Sequence, residues 1–189
     1  MPYKLVCIVG QMGVGKTTCA ELLKKHGFTE EYFAKPLKEF AISIGFTNKE
    51  IYGTQEEKLH VNEHWQVSGR EFMQKFGTEV CRRDLPRHLA LKLNGLQFWA
   101  RALEIRVKEH FRKNPNSPLV ISDGRFVDEC RLIKELGGLI IKVKRNTGLS
   151  HVNHASENTD DIPVDYTINN NGTIAELEEQ LMALVDELD

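Results

Sequence analysis

The sequence contains no apolar run that approaches the roughly 20 residues of a membrane-spanning helix, so no membrane segment is expected. It also has no excess of basic residues, because 25 lysines and arginines stand beside 27 aspartates and glutamates. The resulting net charge of −2 argues against a nucleic-acid partner, since duplex-binding proteins usually carry a basic face. A length of 189 residues, 41% of them hydrophobic, fits one globular domain.

Cysteine is scarce, and its spacing forms no C-x-x-C pair. The four residues are Cys7, Cys19, Cys81 and Cys130. We expect them to be reduced, small apolar side chains of an intracellular protein and not a disulfide framework. Residues 1–4 lead into a short strand and not into the apolar stretch of a signal peptide. A cytoplasmic location is therefore expected.

Residues 10–17 read Gly-Gln-Met-Gly-Val-Gly-Lys-Thr, a complete G-x-x-x-x-G-K-[ST] phosphate-binding loop. An apolar run, Leu5–Val9, precedes the loop, and a helix-forming stretch follows it. In such a loop the backbone N–H groups face an anion, Lys16 reaches the β- and γ-phosphates, and the Thr17 hydroxyl can ligate Mg²⁺. An ordinary glycine-rich turn is the alternative, but strand, loop, Lys-Thr and helix in this order favour a nucleoside triphosphate site.

Short apolar runs alternate with segments of helical period, which predicts an α/β fold with a mainly parallel sheet. The predicted strands are Lys4–Val9, Thr29–Phe33, Leu119–Ser122, Leu139–Val143 and Tyr166–Ile168. The predicted helices are Lys16–Lys25, Leu37–Ile44, Gly69–Cys81, Phe98–Lys113, Val127–Leu136 and Ile174–Leu188. Capping boxes are predicted at Ser68 with Glu71 and at Thr173 with Glu176.

Two stretches stand outside this alternation. Residues from about 45 to 95 are polar and helical in part, and residues from about 145 to 162 show no periodicity. A structureless stretch of that length in a compact domain is usually functional or disordered. Both stretches leave from the side of the sheet where open α/β folds bind ligands, which fits an acceptor-binding region and a mobile lid.

A second cluster of polar residues follows the predicted strand at Leu119. The strand ends in Asp123, which suits the carboxylate on the Mg²⁺ side of phosphate-loop enzymes, and Arg125 would point into the same cleft. The alternative is that Asp123 caps the helix that starts near Phe126, and the two roles are compatible.

The predicted helix from Gly69 carries Arg70, Gln74 and Thr78 at intervals of four residues, with Phe72 and Phe76 on the other face. Arginine suits a bidentate grip on phosphate, and glutamine and threonine suit a base edge or a sugar. Taken alone, this pattern is better explained as a solvated helix face.

Several further segments follow the phosphate loop in a fixed order: Ala34-Lys35-Pro36-Leu37-Lys38, Arg70-x-x-x-Gln74-x-x-Gly77-Thr78, Trp99, Asp123-Gly124-Arg125-x-x-x-Glu129, Gly137-Gly138, Val143-Lys144-Arg145, His154-Ala155-Ser156-Glu157 and Ile168–Thr173. This series, which spans nearly the whole chain, resembles the deoxynucleoside monophosphate kinases of T-even bacteriophages and related viral enzymes. Two departures are a shorter stretch between Phe46 and Ser68, and Gly124 where threonine or valine is more usual.

The resemblance implies a P-loop kinase fold in one domain over residues 1–189. It implies a central parallel five-stranded sheet flanked by helices, an acceptor-binding helical insertion at about 45–95 and a lid at about 145–162. The implied reaction converts a deoxynucleoside monophosphate and ATP into the diphosphate and ADP, which supplies DNA precursors. The location would be the host cytoplasm if the chain is viral, and a homodimer is compatible with the sequence.

The resemblance also implies roles for individual residues. ATP and Mg²⁺ would be held by Gly13, Val14, Gly15, Lys16, Thr17 and Thr18, with Thr17 and Asp123 on the metal. The acceptor would be bound by Lys38, Arg70, Gln74, Gly77, Thr78, Trp99, Asp123, Arg125, Glu129, His154 and Glu157. The groups acting on the transferred phosphoryl would be Lys16, Arg70, Asp123, Arg125 and Arg145. Ser156 would join His154 and Glu157 in the lid.

Three of these residues have ordinary alternatives. Trp99 in an amphipathic helix could be a core residue, His154 could be a solvated loop histidine, and Lys38 could be a surface lysine after Pro36.

Two other functions are also considered. Animal-type phosphomevalonate kinases look similar around the phosphate loop, the Pro-Leu-Lys segment and the Asp-x-Arg strand end. The run from Arg70 to Thr78 and Trp99 favour a nucleotide acceptor instead. A regulatory switch protein that reads guanine would need an Asn-Lys-x-Asp motif, and the stretch Asn48–Ile51 lacks the aspartate.

Overall fold

The computed structural model describes residues 4–11, 13–93, 97–146 and 163–186. The chain forms two compact units, named the sheet unit (residues 1–33 and 102–189) and the helical unit (residues 34–101). The predicted acceptor-binding insertion at 45–95 lies inside the helical unit, which begins earlier, at Ala34. That the whole chain acts as one domain stays a prediction.

The sheet has five strands: β1 Leu5–Val9, β2 Thr29–Glu31, β3 Leu119–Gly124, β4 Leu139–Lys144 and β5 Tyr166–Asn169. Their order is β2-β3-β1-β4-β5, and every neighbouring pair is parallel. The described helices are α1 Lys16–Lys25, α2 Lys35–Ser43, α3 Asn48–Tyr52, α4 Gln55–Leu59, α5 Gly69–Lys75, α6 Leu85–His88, α7 Phe98–Lys113, α8 Val127–Glu135 and α9 Ile174–Val185. The predicted α/β class with a parallel five-stranded sheet is confirmed.

Strand β1 lies at the centre of the sheet, and all its residues are fully buried. Val6 and Ile8 belong to the cluster that α1 and α9 cover on one face. Leu5 and Cys7 face the other side, where α8 packs against β1 and β4. Because both faces of β1 are covered, the strand appears in the sequence as an uninterrupted apolar run.

The connections after β1 and β3 run in opposite directions across the sheet. From β1 the chain passes through α1 to β2 at one edge, and from β3 it passes through α8 to β4 on the other side. Neighbouring strands with diverging connections form a topological switch point, which is where open α/β sheets bind ligands. The phosphate loop and Asp123 both lie at this point.

Some helix boundaries differ from the predicted ones. The helix predicted over Gly69–Cys81 is α-helical only to Lys75, continues as a π-helical stretch at Phe76–Asp84, and then becomes α6. Helix α2 starts at Lys35 and not Leu37, because Pro36 fits the first turn. The helix predicted to reach Leu188 ends at Val185, and residues 187–189 lie outside the described ranges.

Helices α3 and α4 were not predicted individually, although each has a capping box. Thr47 pairs with Glu50, and Thr54 pairs with Glu57, so two T-x-x-E patterns mark their starts. The predicted box at Thr173 is confirmed. At Ser68 the hydroxyl accepts the N–H of Glu71, but the Glu71 carboxylate is paired with Lys75.

Aromatic rings hold α2 and α5 together. Phe72 and Phe76 stack with their ring centroids 5.2 Å apart, and Phe40 stacks on Phe76 at the same distance. Phe46 lies 4.8 Å from Phe72. Phe72 and Phe76 therefore form the apolar face that the sequence predicts for this helix.

Glu50 is the buried anchor of the helical unit, with only 6% of its surface exposed. Its carboxylate accepts the N–H of Thr47 at 2.7 Å and the side-chain amide of Asn62 at 3.1 Å. A Cβ on Gly69 would collide with the backbone carbonyl of Glu50, so glycine lets α5 start against α3. Burial alone would raise the pKa of Glu50, but the hydrogen bonds from Thr47 and Asn62, with nearby His60, lower it.

We predict that Glu50→Gln lowers the free energy of unfolding at neutral pH by about 1–3 kcal/mol, because hydrogen bonds to a buried carboxylate are lost. Since folding lowers the pKa of Glu50, its stabilising effect is complete above the ordinary glutamate pKa and is lost as the pH falls through the folded value. The difference between the two proteins should therefore shrink at about pH 4. Urea unfolding at both pH values measures it.

Glu56→Gln is the matched control, because Glu56 is exposed in the same segment. It should leave the unfolding free energy nearly unchanged. An equal loss for Glu50→Gln at both pH values would mean that the loss comes from replacing an acceptor oxygen by an amide NH2 and not from the charge of Glu50.

Candidate functional site

The phosphate loop joins the buried end of β1 to the first turn of α1. Gly10, Gly13 and Gly15 have φ values of 148°, 82° and 104°, in the region that favours glycine. A Cβ on Gly10 would lie 2.5 Å from the backbone oxygen of Val143. Position 10 therefore requires glycine, because both its backbone conformation and the nearby carbonyl of Val143 exclude a side chain.

The charged and hydroxyl groups of the loop lie at its mouth. The Lys16 ammonium donates to the carbonyl oxygens of Gly10 and Gln11, both at 2.7 Å. Thr17 is exposed in the first turn of α1, a turn with no acidic residue, and Thr18 is half-buried. A positive helix end, an ammonium and a hydroxyl together suit a phosphate chain with its metal.

Asn170, which the sequence analysis did not assign to the site, contacts the loop from the end of β5. Its side-chain nitrogen donates to the carbonyl of Val14 at 2.8 Å, and the residue is 8% exposed. The signal in the sequence is a run of asparagines, Asn169–Asn171, which begins at the last residue of β5. That run lies at the same edge of the sheet as the phosphate loop.

Asp123 holds the chain that leaves β2, since its Oδ1 accepts the N–H of Phe33 at 2.7 Å. At the start of α8 the Oε2 of Glu129 acts as a cap, because it accepts the N–H groups of Arg125 at 2.9 Å and Phe126 at 3.1 Å. Glu129 is 3% exposed, so it positions the backbone next to Asp123. A direct contact of Glu129 with a substrate stays a prediction.

Gly124 is explained by its neighbours in the sheet. A Cβ at this position would lie 2.6 Å from the Cys7 sulfur and 3.0 Å from a Val9 methyl group. The thiol of Cys7 therefore occupies the space that a larger residue at position 124 would need. The pKa of Cys7 is raised, mainly by a hydrogen bond with Cys130 and also by burial. Cys7 is therefore a neutral thiol at physiological pH.

The helical unit holds two predicted phosphate-binding cations against α3 and α4. The Lys38 ammonium lies 4.8 Å from the ring centroid of Tyr52, and the Arg70 guanidinium donates to Gln55 at 2.8 Å. Tyr52 and Gln55 were not singled out from the sequence, because neither belongs to a recognisable motif.

Gln74 and Thr78 are both exposed, but only Gln74 lies on the same face of α5 as Arg70. Thr78 lies in the π-helical stretch, whose i→i+5 bonding shifts it from the position that an α-helix would give it. The predicted common face is therefore found for Arg70 and Gln74 but not for Thr78.

Trp99 is a buried residue of the helical unit, where it packs with Leu37 and Cys81. Its indole N–H donates to the Gly77 carbonyl at 2.8 Å, inside the π-helical stretch. A Cβ on Gly77 would lie 2.7 Å from a Leu37 methyl group. These contacts match the core interpretation of Trp99, and a contact with the substrate base stays a prediction.

Arg125 and Arg145 are exposed just beyond the ends of β3 and β4. With the phosphate loop and Asp123, they lie along the carboxyl edge of the same sheet. His154 and Glu157 fall outside the described residues. Within the described part of the chain, no three His, Cys, Asp or Glu side chains are grouped to hold a metal ion, and no helix is long and apolar enough to cross a membrane.

A family model described as deoxynucleotide monophosphate kinase matches residues 43–181, more than half of the chain. A protein of Acanthamoeba polyphaga mimivirus, provisionally named deoxynucleotide monophosphate kinase, is 35% identical over 192 residues. That match covers 96% of this chain and 96% of the viral protein.

Solved structures are similar along the whole chain. Dephospho-CoA kinase from Campylobacter jejuni gives a TM-score of 0.51 at 13% identity and covers 98% of this chain and 97% of its own. The Thermus thermophilus protein TT1252 gives 0.52 at 20% identity, covering 100% and 98%. At these identities the likeness shows the fold alone, which is the P-loop kinase fold that the sequence predicts.

We predict that Gly124→Ala lowers the free energy of unfolding by about 1–3 kcal/mol, because the added methyl group overlaps the Cys7 thiol. Cys7→Ala should recover part of that loss when the two changes are combined. A double-mutant cycle by urea unfolding measures the coupling. Additive effects would show that Gly124 is required for a reason other than its contact with Cys7.

Proposed function

Since the chain belongs to the deoxynucleotide monophosphate kinase family and is therefore a phosphotransferase, we propose that it transfers the γ-phosphoryl group of ATP to a deoxynucleoside monophosphate. The products are ADP and the deoxynucleoside diphosphate, a DNA precursor. The observation that supports ATP as the donor is the glycine loop at the switch point of the sheet, with Lys16 and Thr17 at its mouth.

The donor side of the reaction belongs to the sheet unit. The backbone N–H groups of Gly13–Thr18 would hold the phosphate chain of ATP, with Lys16 beside the β- and γ-phosphates. The Thr17 hydroxyl and the Asp123 carboxylate offer the hard oxygen ligands that suit Mg²⁺, which takes its other ligands from phosphates and water. Mg²⁺ bound there would neutralise part of the charge on the transferred group.

The acceptor side draws on the helical unit. Lys38 and Arg70 would grip the 5′-phosphate, and arginine supplies the planar fork that matches it. The base and the sugar would be contacted by Gln74, Gly77, Thr78 and Trp99. Tyr52 and Gln55 support this proposal, because they already hold Lys38 and Arg70 in place.

The chemical step needs no strong base. An oxygen of the acceptor phosphate is already anionic; it attacks the γ-phosphorus as the bond to the β-phosphate oxygen breaks, and ADP leaves. Catalysis then consists of in-line positioning and of positive charge around the transferred group. Arg125 and Arg145 would supply that charge from the edge of the sheet, Glu129 would act by holding Arg125, and His154 and Glu157 would act from the lid at about 145–162.

The proposal extends to the setting of the reaction. The partners are small nucleotides and not nucleic acid, the enzyme acts in the cytoplasm, or the host cytoplasm for a viral chain, and a homodimer is compatible with it.

We predict activity in a coupled ADP-release assay only when a deoxynucleoside monophosphate is the acceptor. The panel contains the four deoxynucleoside monophosphates, their ribose counterparts and phosphomevalonate. Turnover with phosphomevalonate alone would replace this proposal by a metabolite kinase. Slow ADP release that no acceptor stimulates would indicate a switch protein.

We also predict that Lys16→Ala and Arg70→Ala each lower turnover about 100-fold or more, because each removes charge that stabilises the transferring group. Lys25→Ala and Arg83→Ala are matched controls, since both residues are exposed; Lys25 lies in α1 with Lys16, and Arg83 lies in the π-helical stretch that continues α5. Turnover in the controls should stay near the wild-type value. Wild-type turnover in Lys16→Ala or Arg70→Ala would contradict the assigned role of that residue.

A further inference from the structure

We propose that Asn170 is a positioning residue of the phosphate loop. Its side-chain amide fixes the orientation of the Val14–Gly15 peptide, so that the N–H of Gly15 faces the phosphates of the bound nucleotide. This inference rests on the proposed function in one respect, because it takes the loop to be the ATP site.

The amide of Asn170 reaches the loop from 156 residues away in the sequence. Its nitrogen donates to the Val14 carbonyl at 2.8 Å, and both residues are buried. The backbone N–H of Asn170 donates to the carbonyl of Lys144 at 2.7 Å. The backbone of Asn170 is therefore held at the end of the sheet by a contact that is separate from the one its side chain makes with the loop.

The orientation of one peptide follows from this contact. In a trans peptide the C=O and the N–H point in opposite directions. Because the C=O of Val14 is held by Asn170, the N–H of Gly15 points away from Asn170, towards the concave side of the loop. In loops of this type the backbone N–H groups on the concave side bind the phosphates.

The conformation of Gly15 does not by itself fix this peptide. Gly15 has a φ of 104°, and glycine tolerates the rotations that turn a neighbouring peptide over. A Cβ on residue 15 would collide with the Asn170 side-chain nitrogen, so the side chain also fills the space behind the loop. Asn170 thus makes both a polar contact and a steric one with the same peptide.

Residue 170 must carry a hydrogen-bond donor, because the carbonyl oxygen of Val14 can only accept a hydrogen bond. Aspartate has the shape of asparagine, but its carboxylate accepts hydrogen bonds and repels a carbonyl oxygen. Asn170→Asp would therefore favour the reversed peptide, whose N–H turns towards residue 170 and away from the phosphates. It would also place a negative charge behind an anion site.

The test measures ATP binding to the full chain by isothermal titration, without acceptor, for Asn170→Asp, Asn170→Ala and the wild type. We expect the dissociation constant for ATP to rise at least about fivefold in Asn170→Ala and further in Asn170→Asp, as the loss of a buried hydrogen bond implies. In steady-state kinetics the KM for ATP should rise, while the KM for the deoxynucleotide stays unchanged. A purely structural role would not separate the two constants.

Asn169→Ala is the matched control, because Asn169 is exposed at the end of β5. Its ATP affinity should stay within about twofold of the wild type, well below the loss expected for a buried hydrogen bond. Unchanged ATP affinity in either folded Asn170 variant would overturn the proposal. If neither variant folds, Asn170 supports the fold as a whole, and its assignment to the loop is likewise overturned.

The two proposals fail in different ways. A wild type that binds ATP but phosphorylates no deoxynucleotide would remove the kinase proposal, while the Asn170 variants would still be tested by ATP binding. A wild type that phosphorylates deoxynucleotides with the same ATP constants as its folded Asn170 variants would remove only the role of Asn170.

Discussion

The sharp turn at the end of β1 is the constraint on which the site depends. β1 is covered on both faces, so the chain must leave it between β3 and β4 with no room for side chains near the exit. Gly10 passes against the carbonyl of Val143, and Gly124 on β3 leaves space for Cys7. Because the strands are parallel, the turn brings the start of α1 to the same edge as Asp123. An anion site is the direct result, since helix N–H groups, an ammonium and a hydroxyl all end there.

The helical unit holds long charged side chains in defined positions. Short helices α3 and α4 are too small to be stable alone, and their capping boxes and the buried carboxylate of Glu50 fix them. These helices then contact Lys38 and Arg70 through Tyr52 and Gln55. In the proposed function this orientation reduces the conformational freedom that Lys38 and Arg70 lose when they bind the acceptor phosphate.

The features that the sequence predicts well are those encoded by neighbouring residues. The order of strand, glycine-rich turn and helix at residues 5–25, the fully buried β1 and the capped start of α9 each depend on a short stretch, and the structure confirms these elements. The starts of α3 and α4 also had a local signal in Thr47 and Thr54. The change to π-helix at Phe76 has no such pattern, since the widened turn depends on packing around Gly77 and Trp99. The run of asparagines marks a polar end of β5, but it does not identify Val14 as the partner of Asn170, because the two residues are 156 positions apart in the sequence.

Every thiol of the protein is buried: Cys7, Cys19 and Cys130 in the sheet unit and Cys81 in the helical unit. Burial raises the pKa of Cys19 to about 11, so it carries almost no thiolate at neutral pH. An alkylating reagent such as iodoacetamide can therefore modify these sulfurs only when the surrounding structure opens. Since one unit contains a single cysteine and the other contains the rest, the peptide that first gains mass identifies the unit that opens first. The order in which the cysteines are alkylated therefore reports the order in which the two units open.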